Sequence, residues 1–138
     1  MTMIPERRFA APMVDSANAP FWQAASEGVL LIKRCNACGE AHWYPRPFCP
    51  HCGSEHTEWV TSNGSGTVYS FTVTYQNQAP GFRESLPYVL AVVQLDEGPR
   101  MMTNVVGCAP EDVKIGMPVQ VQYDDVTPEI TLAKFKPA

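Results

Sequence analysis

The chain has 138 residues and a formal net charge of −4, and hydrophobic residues make up 45% of it. This length allows one domain or two very small ones, and the hydrophobic content is sufficient for a packed core. No apolar run approaches the roughly twenty residues that a membrane span requires. Thirteen prolines and nine glycines favour short elements joined by turns over a helical bundle. We therefore expect a mainly β protein with no membrane segment.

Residues 1–28 are predicted to form an extended arm followed by a short helix. Asn18 suits the residue that caps a helix, Pro20 suits its first turn, and Gly28 suits the position just past its end. Phe21 and Trp22 give this helix a bulky aromatic face, which so short a helix cannot bury within itself. Packing against the rest of the chain and docking onto a partner both remain open for this pair. The first residues have no apolar segment typical of an export signal, so we expect a cytoplasmic protein.

Four cysteines form the most specific motif in the sequence. Cys35 and Cys38 make one Cys-x-x-Cys pair, and Cys49 and Cys52 make a second pair ten residues later. Two thiols at this spacing can bind one metal from a tight turn, and two such turns supply the four thiolates of a structural zinc site. The rival interpretations are iron, two disulfides and a redox-active pair. Because four thiolates leave no open position for water or substrate, we interpret the zinc site as scaffold and not as catalyst.

Residues 29–60 are accordingly interpreted as a zinc ribbon. Residues 29–34 have the apolar pattern of a strand that leads into the first cysteine pair, and residues 40–48 suit a small hairpin over the metal. Three histidines lie in this half of the chain, at positions 42, 51 and 56. Since four thiolates already saturate zinc, we expect no histidine to bind it.

Residues 61–138 have the hydrophobic pattern of a small β-barrel. Apolar runs and period-two alternation predict five strands, at residues 67–75, 87–95, 100–106, 118–123 and 130–135. A long connection between the third and fourth strands favours a five-stranded barrel of the OB type, with a small sandwich as the alternative. Residues 76–87 form a loop that is long for a compact domain, and such loops are often functional.

Residues suited to catalysis are scarce. The barrel has no histidine to serve as a general base, and Asp124 and Asp125 would point to opposite faces of a strand. We expect both to be solvated beside the turn that follows. Cys108 has apolar neighbours and no nearby cation that would lower its pKa, so we interpret it as a buried structural thiol. We predict no catalytic residue.

Nucleic-acid binding is the alternative function that a zinc ribbon joined to an OB barrel suggests. Tyr69, Phe71 and Tyr75 fall on one face of the first barrel strand, where they could form a stacking platform or enter the core. From residue 61 onward, however, eight acidic residues oppose five basic ones, which gives a net charge of −3. Affinity for nucleic acid depends on clustered lysine and arginine, so we expect no useful binding.

The order of these motifs resembles a family of small proteins that join a rubredoxin-like zinc ribbon to an OB fold and are linked to acyl-CoA metabolism. The likeness covers almost the whole chain and lies in the Phe21–Trp22 pair, both cysteine pairs, the Gly64-x-Gly66 segment, and residues 95–100 and 115–119. The resemblance implies a non-catalytic accessory subunit. Such subunits pair with a thiolase, a thiolase-like aldolase or a MaoC-type enoyl-CoA hydratase and help to form its acyl-CoA site.

The resemblance also suggests roles for particular residues. The metal ligands carried over from the family are Cys35, Cys38, Cys49 and Cys52. We predict that Phe21 and Trp22 contact the partner enzyme. Phe82 and Arg83, in the long loop, are our candidates for contact with acyl-CoA, with a solvated surface residue as the competing interpretation of Arg83.

Overall fold

A computed structural model describes residues 11–138, so the first part of the predicted arm lies outside the described residues. The described range contains one α-helix, α1, and eight strands with the bounds α1 Ala19–Ser26, β1 Leu31–Cys35, β2 Ala41–His42, β3 Thr57–Thr61, β4 Ser65–Thr74, β5 Tyr88–Leu95, β6 Arg100–Val105, β7 Pro118–Asp125 and β8 Thr131–Pro137. Within this range, no helix is both long enough and apolar enough to cross a membrane.

Helix α1 begins and ends where the sequence predicts, but its first turn lacks a side-chain capping bond. At its end, the N–H of Gly28 donates to the Ala25 carbonyl and that of Val29 to the Ala24 carbonyl, the pattern of a Schellman motif. Gly28 has a φ of +78°, which glycine adopts without strain. Asn18 occupies the N-cap position, but its side chain makes no capping bond and instead accepts the N–H of Asp15 at 2.7 Å. The prediction that Asn18 is the N-cap residue is therefore confirmed in position, although its side chain does not supply a capping hydrogen bond.

The ribbon is a three-stranded antiparallel sheet in the order β2-β1-β3. Strand β1 is central, and its Lys33 pairs with His42 on one side and Trp59 on the other. The predicted hairpin over residues 40–48 is wrong, because only the two residues of β2 pair, and they pair with β1. Pro45 and Pro47 follow, and proline cannot donate a ladder hydrogen bond.

Strands β4 to β8 form a closed five-stranded barrel in the order β4-β5-β6-β8-β7, which confirms the predicted OB fold. Neighbouring strands are antiparallel except β6 and β8, which pair in parallel at Val105 and Phe135. Phe135 is completely buried and lies at the centre of the barrel core. The mainly β prediction is likewise confirmed.

A β-bulge in β4 changes which side chains face the core. The register shifts just after Val68, and from there Phe71 pairs with the buried Ala91 and packs against the core. Tyr69 lies at the bulge and is exposed, as is Tyr75 beyond the strand end. The predicted common face of Tyr69, Phe71 and Tyr75 is therefore wrong, because a bulge inserts one residue and reverses the alternation.

One core connects the helix, the ribbon and the barrel. The buried cluster of the barrel also contains Phe21 from α1, and Leu30 and Ile32 from the start of the ribbon. Hydrogen bonds reinforce the junction: the carboxylate of Glu97 accepts the Ser62 hydroxyl and the Asn63 N–H, each at 2.8 Å. The barrel therefore holds the ribbon and α1 in a fixed position, which creates the clefts described below.

Candidate functional site

The four cysteine thiols of the ribbon converge on one point. All four Sγ atoms lie within 4.8 Å of one another, with 3.6 Å between Cys35 and Cys52 and 3.7 Å between Cys38 and Cys49. A zinc–sulfur distance of about 2.3 Å in a tetrahedron places sulfurs about 3.8 Å apart, so this arrangement fits one metal ion. The cysteines are unbonded to one another, which argues against the two disulfides.

The backbone turns tightly behind each cysteine pair and favours the thiolate form of Cys35, whereas burial and hydrogen bonds with the neighbouring thiols raise the pKa of Cys38 and that of Cys52. Gly39 and Gly53 follow the pairs with φ angles of +80° and +79°, which lets the chain turn tightly behind the sulfurs. The N–H of Cys38 points at the Cys35 sulfur at 3.5 Å and lowers the pKa of Cys35 to about 6, although burial opposes this effect. A thiolate is the form that binds metal, so the turn prepares Cys35 as a ligand.

The histidines of the ribbon lie apart from the thiol cluster. His42 is buried, and neither ring nitrogen has a hydrogen-bond partner within residues 11–138. Burial lowers the pKa of His42, with smaller contributions from nearby positive groups, so its imidazole is neutral. His51 is exposed, and its backbone N–H donates to the Cys49 sulfur at 3.3 Å.

A first cleft, which we call the helix cleft, lies where α1, the arm after β2 and the barrel meet. Its volume is about 290 Å³, and its walls include Trp22, Trp43, Tyr44, Met102 and Leu132. Met102 is 55% exposed on the outer face of β6. The cleft is therefore an apolar surface with contributions from three separate parts of the chain.

Phe21 and Trp22, our predicted partner contacts, lie in different environments. Phe21 is only 2% exposed, and its ring centroid lies 4.4 Å from that of Trp43. Of the two alternatives left open for the pair, packing against the rest of the chain therefore holds for Phe21, which belongs to the common core. Trp22 is half-buried in the cleft wall, and its Nε1–H has no acceptor in the described part of the chain.

A second cleft, which we call the loop cleft, lies beneath the 76–87 loop. Its volume is about 480 Å³, and its walls include Phe82, Tyr88, Val106 and Cys108. The rings of Phe82 and Tyr88 have centroids 6.2 Å apart and form one wall. Arg83 is exposed on the following 3₁₀ turn and is absent from the lining of the described clefts. The structure thus places Phe82 at a cleft and Arg83 away from it.

Cys108 is less buried than its apolar neighbours in sequence suggest. It is half-buried and lines the loop cleft, so the interpretation of a fully buried thiol is wrong. Burial, and secondarily the charge of Asp112, raises the pKa of Cys108, which keeps the thiol protonated and weakly nucleophilic.

The two clefts are adjacent. Asn104, Leu132 and Lys134 line both of them. The ammonium of Lys134 lies 2.6 Å from the carboxylate of Asp124. A ligand in one cleft and a partner in the other would therefore contact the same short wall.

The zinc-ribbon and barrel regions each match a family model. The model described as ChsH2, rubredoxin-like zinc ribbon domain, matches residues 22–58, and that described as ChsH2, C-terminal OB-fold domain, matches residues 59–124. The chain belongs to this ChsH2 family. The resemblance inferred from the sequence motifs is thereby confirmed.

Similar proteins carry names of enzyme subunits and scaffolds. The chain is 43% identical over 127 residues to the probable enoyl-CoA hydratase alpha subunit of Thermomonospora curvata, covering 92% of this chain but only 39% of that subunit. It is 36% identical to a DUF35 domain-containing scaffold protein of Methanocaldococcus jannaschii, covering 84% of this chain and 87% of that protein. A solved structure, Ltp2-ChsH2(DUF35) aldolase, superposes with a TM-score of 0.81 at 42% identity and covers 92% of this chain and 98% of that one.

Sequence reasoning missed most of the helix cleft. Trp43, Tyr44 and Leu132 are far apart in sequence, and nothing in their local patterns indicates a common surface. A signal did exist for Met102: Met101 and Met102 are consecutive in a strand, so one of the two must face outward.

Proposed function

We propose that this ChsH2-family chain is a non-catalytic accessory subunit that binds a thiolase-like aldolase or an enoyl-CoA hydratase and helps to form its acyl-CoA site. The observation that carries the proposal is the apolar helix cleft, with its exposed Met102 and half-buried Trp22. Aromatic residues and methionine are enriched in protein interfaces. The names of the similar proteins, which include a hydratase subunit, a scaffold and an aldolase, support the same class of partner.

The apolar surface extends from the helix cleft across the barrel. Met102 also borders a shallow depression between β4, β5 and β6, and Leu90 and Val92 lie on the same outward face of β5. Contiguous exposed apolar surface of this kind is characteristic of protein interaction sites in soluble proteins. The partner is therefore expected to cover the outer faces of β5 and β6 together with Trp22.

The side chains outside the ribbon support the absence of a catalytic role. The Cys108 thiol is protonated, and the Asp124 carboxylate is paired with Lys134. The Asp125 carboxylate accepts the Thr131 hydroxyl at 2.6 Å. The sequence predicts that Asp124 and Asp125 are solvated, but each instead contacts a neighbouring side chain. Among residues 11–138, the lining of the two clefts includes no histidine, aspartate or glutamate that could serve as a general base.

The metal is proposed to be zinc in a structural role. Four thiolates satisfy its preferred tetrahedral geometry and leave no position for a substrate. The metal adds to the stability that the ribbon gains by packing Leu30 and Ile32 into the common core. Reduced thiols persist in the cytoplasm, which we propose as the location of the protein.

Nucleic-acid binding finds little support on the face that OB folds use for it. That face, on strands β5 and β6, exposes Leu90 and Met102. The guanidinium of Arg100 lies 3.8 Å from the centre of the Tyr69 ring, so it already has a contact within the chain. Phosphate binding needs clustered cations, which this face does not supply within the described residues.

The proposal is tested by identifying the partner and its dependence on this chain. A tagged copy is purified from its own cells at native level, and the co-purifying proteins are identified by mass spectrometry. We expect a thiolase-like enzyme or a hydratase subunit in stoichiometric amount, and activity of that enzyme towards acyl-CoA that rises when the purified chain is added. A chain recovered alone, or a partner whose activity is indifferent to it, would contradict the proposal.

A further inference from the structure

The loop cleft has the size and the lining of a small-molecule site. Its volume of about 480 Å³ lies within the range of about 300–1,000 Å³ typical of ligand pockets. Val89 and Val105 form a buried floor, and the Phe82–Tyr88 pair forms a wall. This surface suits an apolar ligand of moderate size.

Two polar side chains that line the loop cleft, Asn104 and Lys134, already have partners within the chain. The side-chain amide N–H of Asn104 donates to the Val89 carbonyl at 2.9 Å. Lys134 is paired with Asp124 at 2.6 Å. A ligand that needed these groups would have to displace existing contacts, so the cleft favours apolar groups over charged ones.

The charge around the loop cleft disfavours phosphate. Lys134 is the cationic side chain in its lining, and its charge is offset by Asp124. Asp112 lies close enough to Cys108 to raise the pKa of the thiol, which adds negative potential at the same end of the cleft. Recognition of phosphate relies on unpaired arginine or lysine.

We propose that the loop cleft binds the acyl part of an acyl thioester, while the nucleotide of the CoA is left to the partner enzyme. This inference rests on the proposed function for the choice of an acyl thioester. The position of the cleft fits it, because the wall of Asn104, Leu132 and Lys134 is shared with the helix cleft, where the partner is proposed to bind. An acyl chain could thus lie against this subunit while its thioester remains with the partner.

Cys108 provides a native reporter for the inference. It lines the loop cleft, whereas the other four cysteines converge in the ribbon. The experiment treats the isolated, zinc-loaded chain with N-ethylmaleimide and follows modification of Cys108 by peptide mass spectrometry. The probes are octanoyl-CoA, octanoyl-pantetheine, which lacks the nucleotide, and S-methyl-CoA, which has neither an acyl chain nor a free thiol that would consume the maleimide.

We expect both octanoyl thioesters to protect Cys108 with similar affinity and S-methyl-CoA to give no protection. Because each buried methylene contributes a roughly constant free energy, affinity should rise about fourfold per methylene from butanoyl to octanoyl. Protection by S-methyl-CoA equal to that by octanoyl-CoA, or no protection by octanoyl-pantetheine, would overturn the inference.

A variant whose loop cleft is filled gives an independent check of ligand binding. Calorimetry measures this binding directly and does not depend on thiol reactivity. Val106→Trp places a large side chain in the cleft lining, and Ile115→Trp adds the same side chain at an exposed position outside both clefts. We expect Val106→Trp to lose binding of octanoyl-pantetheine while its metal content is unchanged, and Ile115→Trp to retain it. Equal binding by the two variants would overturn the inference. Partner capture by the wild-type chain is scored separately, so failure here leaves the proposed function standing.

Discussion

At the scale of single residues, the neighbours Phe21 and Trp22 have different roles. Phe21 packs into the common core, so replacing it with alanine should cost about 3–5 kcal/mol of stability and would not report on docking alone. Trp22 lines the helix cleft and leaves an indole N–H without an acceptor in the described chain. The indole nitrogen itself is closed off within the chain, so the exposed part of the half-buried Trp22 ring is what a partner can contact.

We predict that Trp22→Ala weakens the complex with the partner enzyme by more than about tenfold, because truncation of an aromatic anchor typically costs more than about 2 kcal/mol. The affinity of Trp22→Phe, which keeps a smaller aromatic ring, should lie between that of Trp22→Ala and that of the wild type. The dissociation constant is measured by calorimetry, with metal content as the control. Full affinity in Trp22→Ala would be incompatible with the proposed docking surface.

His42 should make stability depend on pH. Burial lowers its pKa below the ordinary value of 6.5, so the unfolded chain binds more protons at this residue than the folded chain. The free energy of unfolding should therefore fall as the pH is lowered through about 6.5 and continue to fall until the folded-state pKa is reached. Chemical denaturation of the zinc-loaded protein from about pH 7.5 to about pH 5.5 measures this loss. In His42→Gln the loss should be smaller; an equal loss in both proteins would exclude His42 as its cause.

At the scale of elements, the ribbon depends on its metal. We predict that Cys35→Ser releases the ion and makes the ribbon sensitive to protease, because metal binding supplies much of the folding free energy of so small a module. Metal content and limited proteolysis measure the effect. Cys108→Ser is the matched control and should retain the metal, since Cys108 lies outside the thiol cluster. Normal metal content in Cys35→Ser would refute the four-thiolate site.

The strands were predictable because period-two alternation is a local property of the sequence. Four of the five barrel strands begin within one residue of their predicted starts, and β4 begins two residues early. The bulge after Val68 was not predictable, because it inserts one residue without a change in composition and moves Phe71 to the core face. The short β2 was mistaken for half of a hairpin, although Pro45 and Pro47 argued against a longer ladder.

The two parts of the candidate site differ in how much the sequence reveals. The metal centre follows from the spacing of four cysteines, because each Cys-x-x-Cys turn places its two thiols together by local geometry. The clefts depend on tertiary packing that brings Trp22, Trp43, Met102 and Leu132 together from distant positions. No local pattern encodes such a surface, so the contact residues predicted from sequence that line the clefts are only Phe21, Trp22 and Phe82.

At the scale of the whole molecule, charge separates the two candidate functions. We predict no useful affinity for nucleic acid at physiological salt, because the chain carries a net charge of −4 and its OB face lacks a cluster of cations in the described range. Fluorescence anisotropy with a labelled oligonucleotide at several salt concentrations measures this. Submicromolar binding that weakens steeply with salt would support the nucleic-acid alternative instead.

The common core makes the whole molecule behave as one docking unit. Phe21, Leu30 and the barrel residues share a cluster, and Glu97 ties the ribbon junction to the β5–β6 turn. A partner that binds the helix cleft therefore contacts helix, ribbon arm and barrel together, at little cost in internal rearrangement. This rigidity is what a scaffold or accessory subunit requires.

The most direct test of the account is the affinity of the purified chain for its acyl-CoA enzyme, measured by calorimetry for the wild type, Met102→Glu and Tyr75→Glu. Met102 and Tyr75 are both more than half exposed, at 55% and 68%, so neither substitution disturbs the core, and only Met102 lines the helix cleft. A charge buried in an apolar interface is costly, so Met102→Glu should weaken binding by more than about tenfold. Tyr75→Glu should bind like the wild type. Equal affinity of all three proteins would contradict the proposed docking surface, and turnover of an acyl-CoA by the isolated chain would contradict its accessory role.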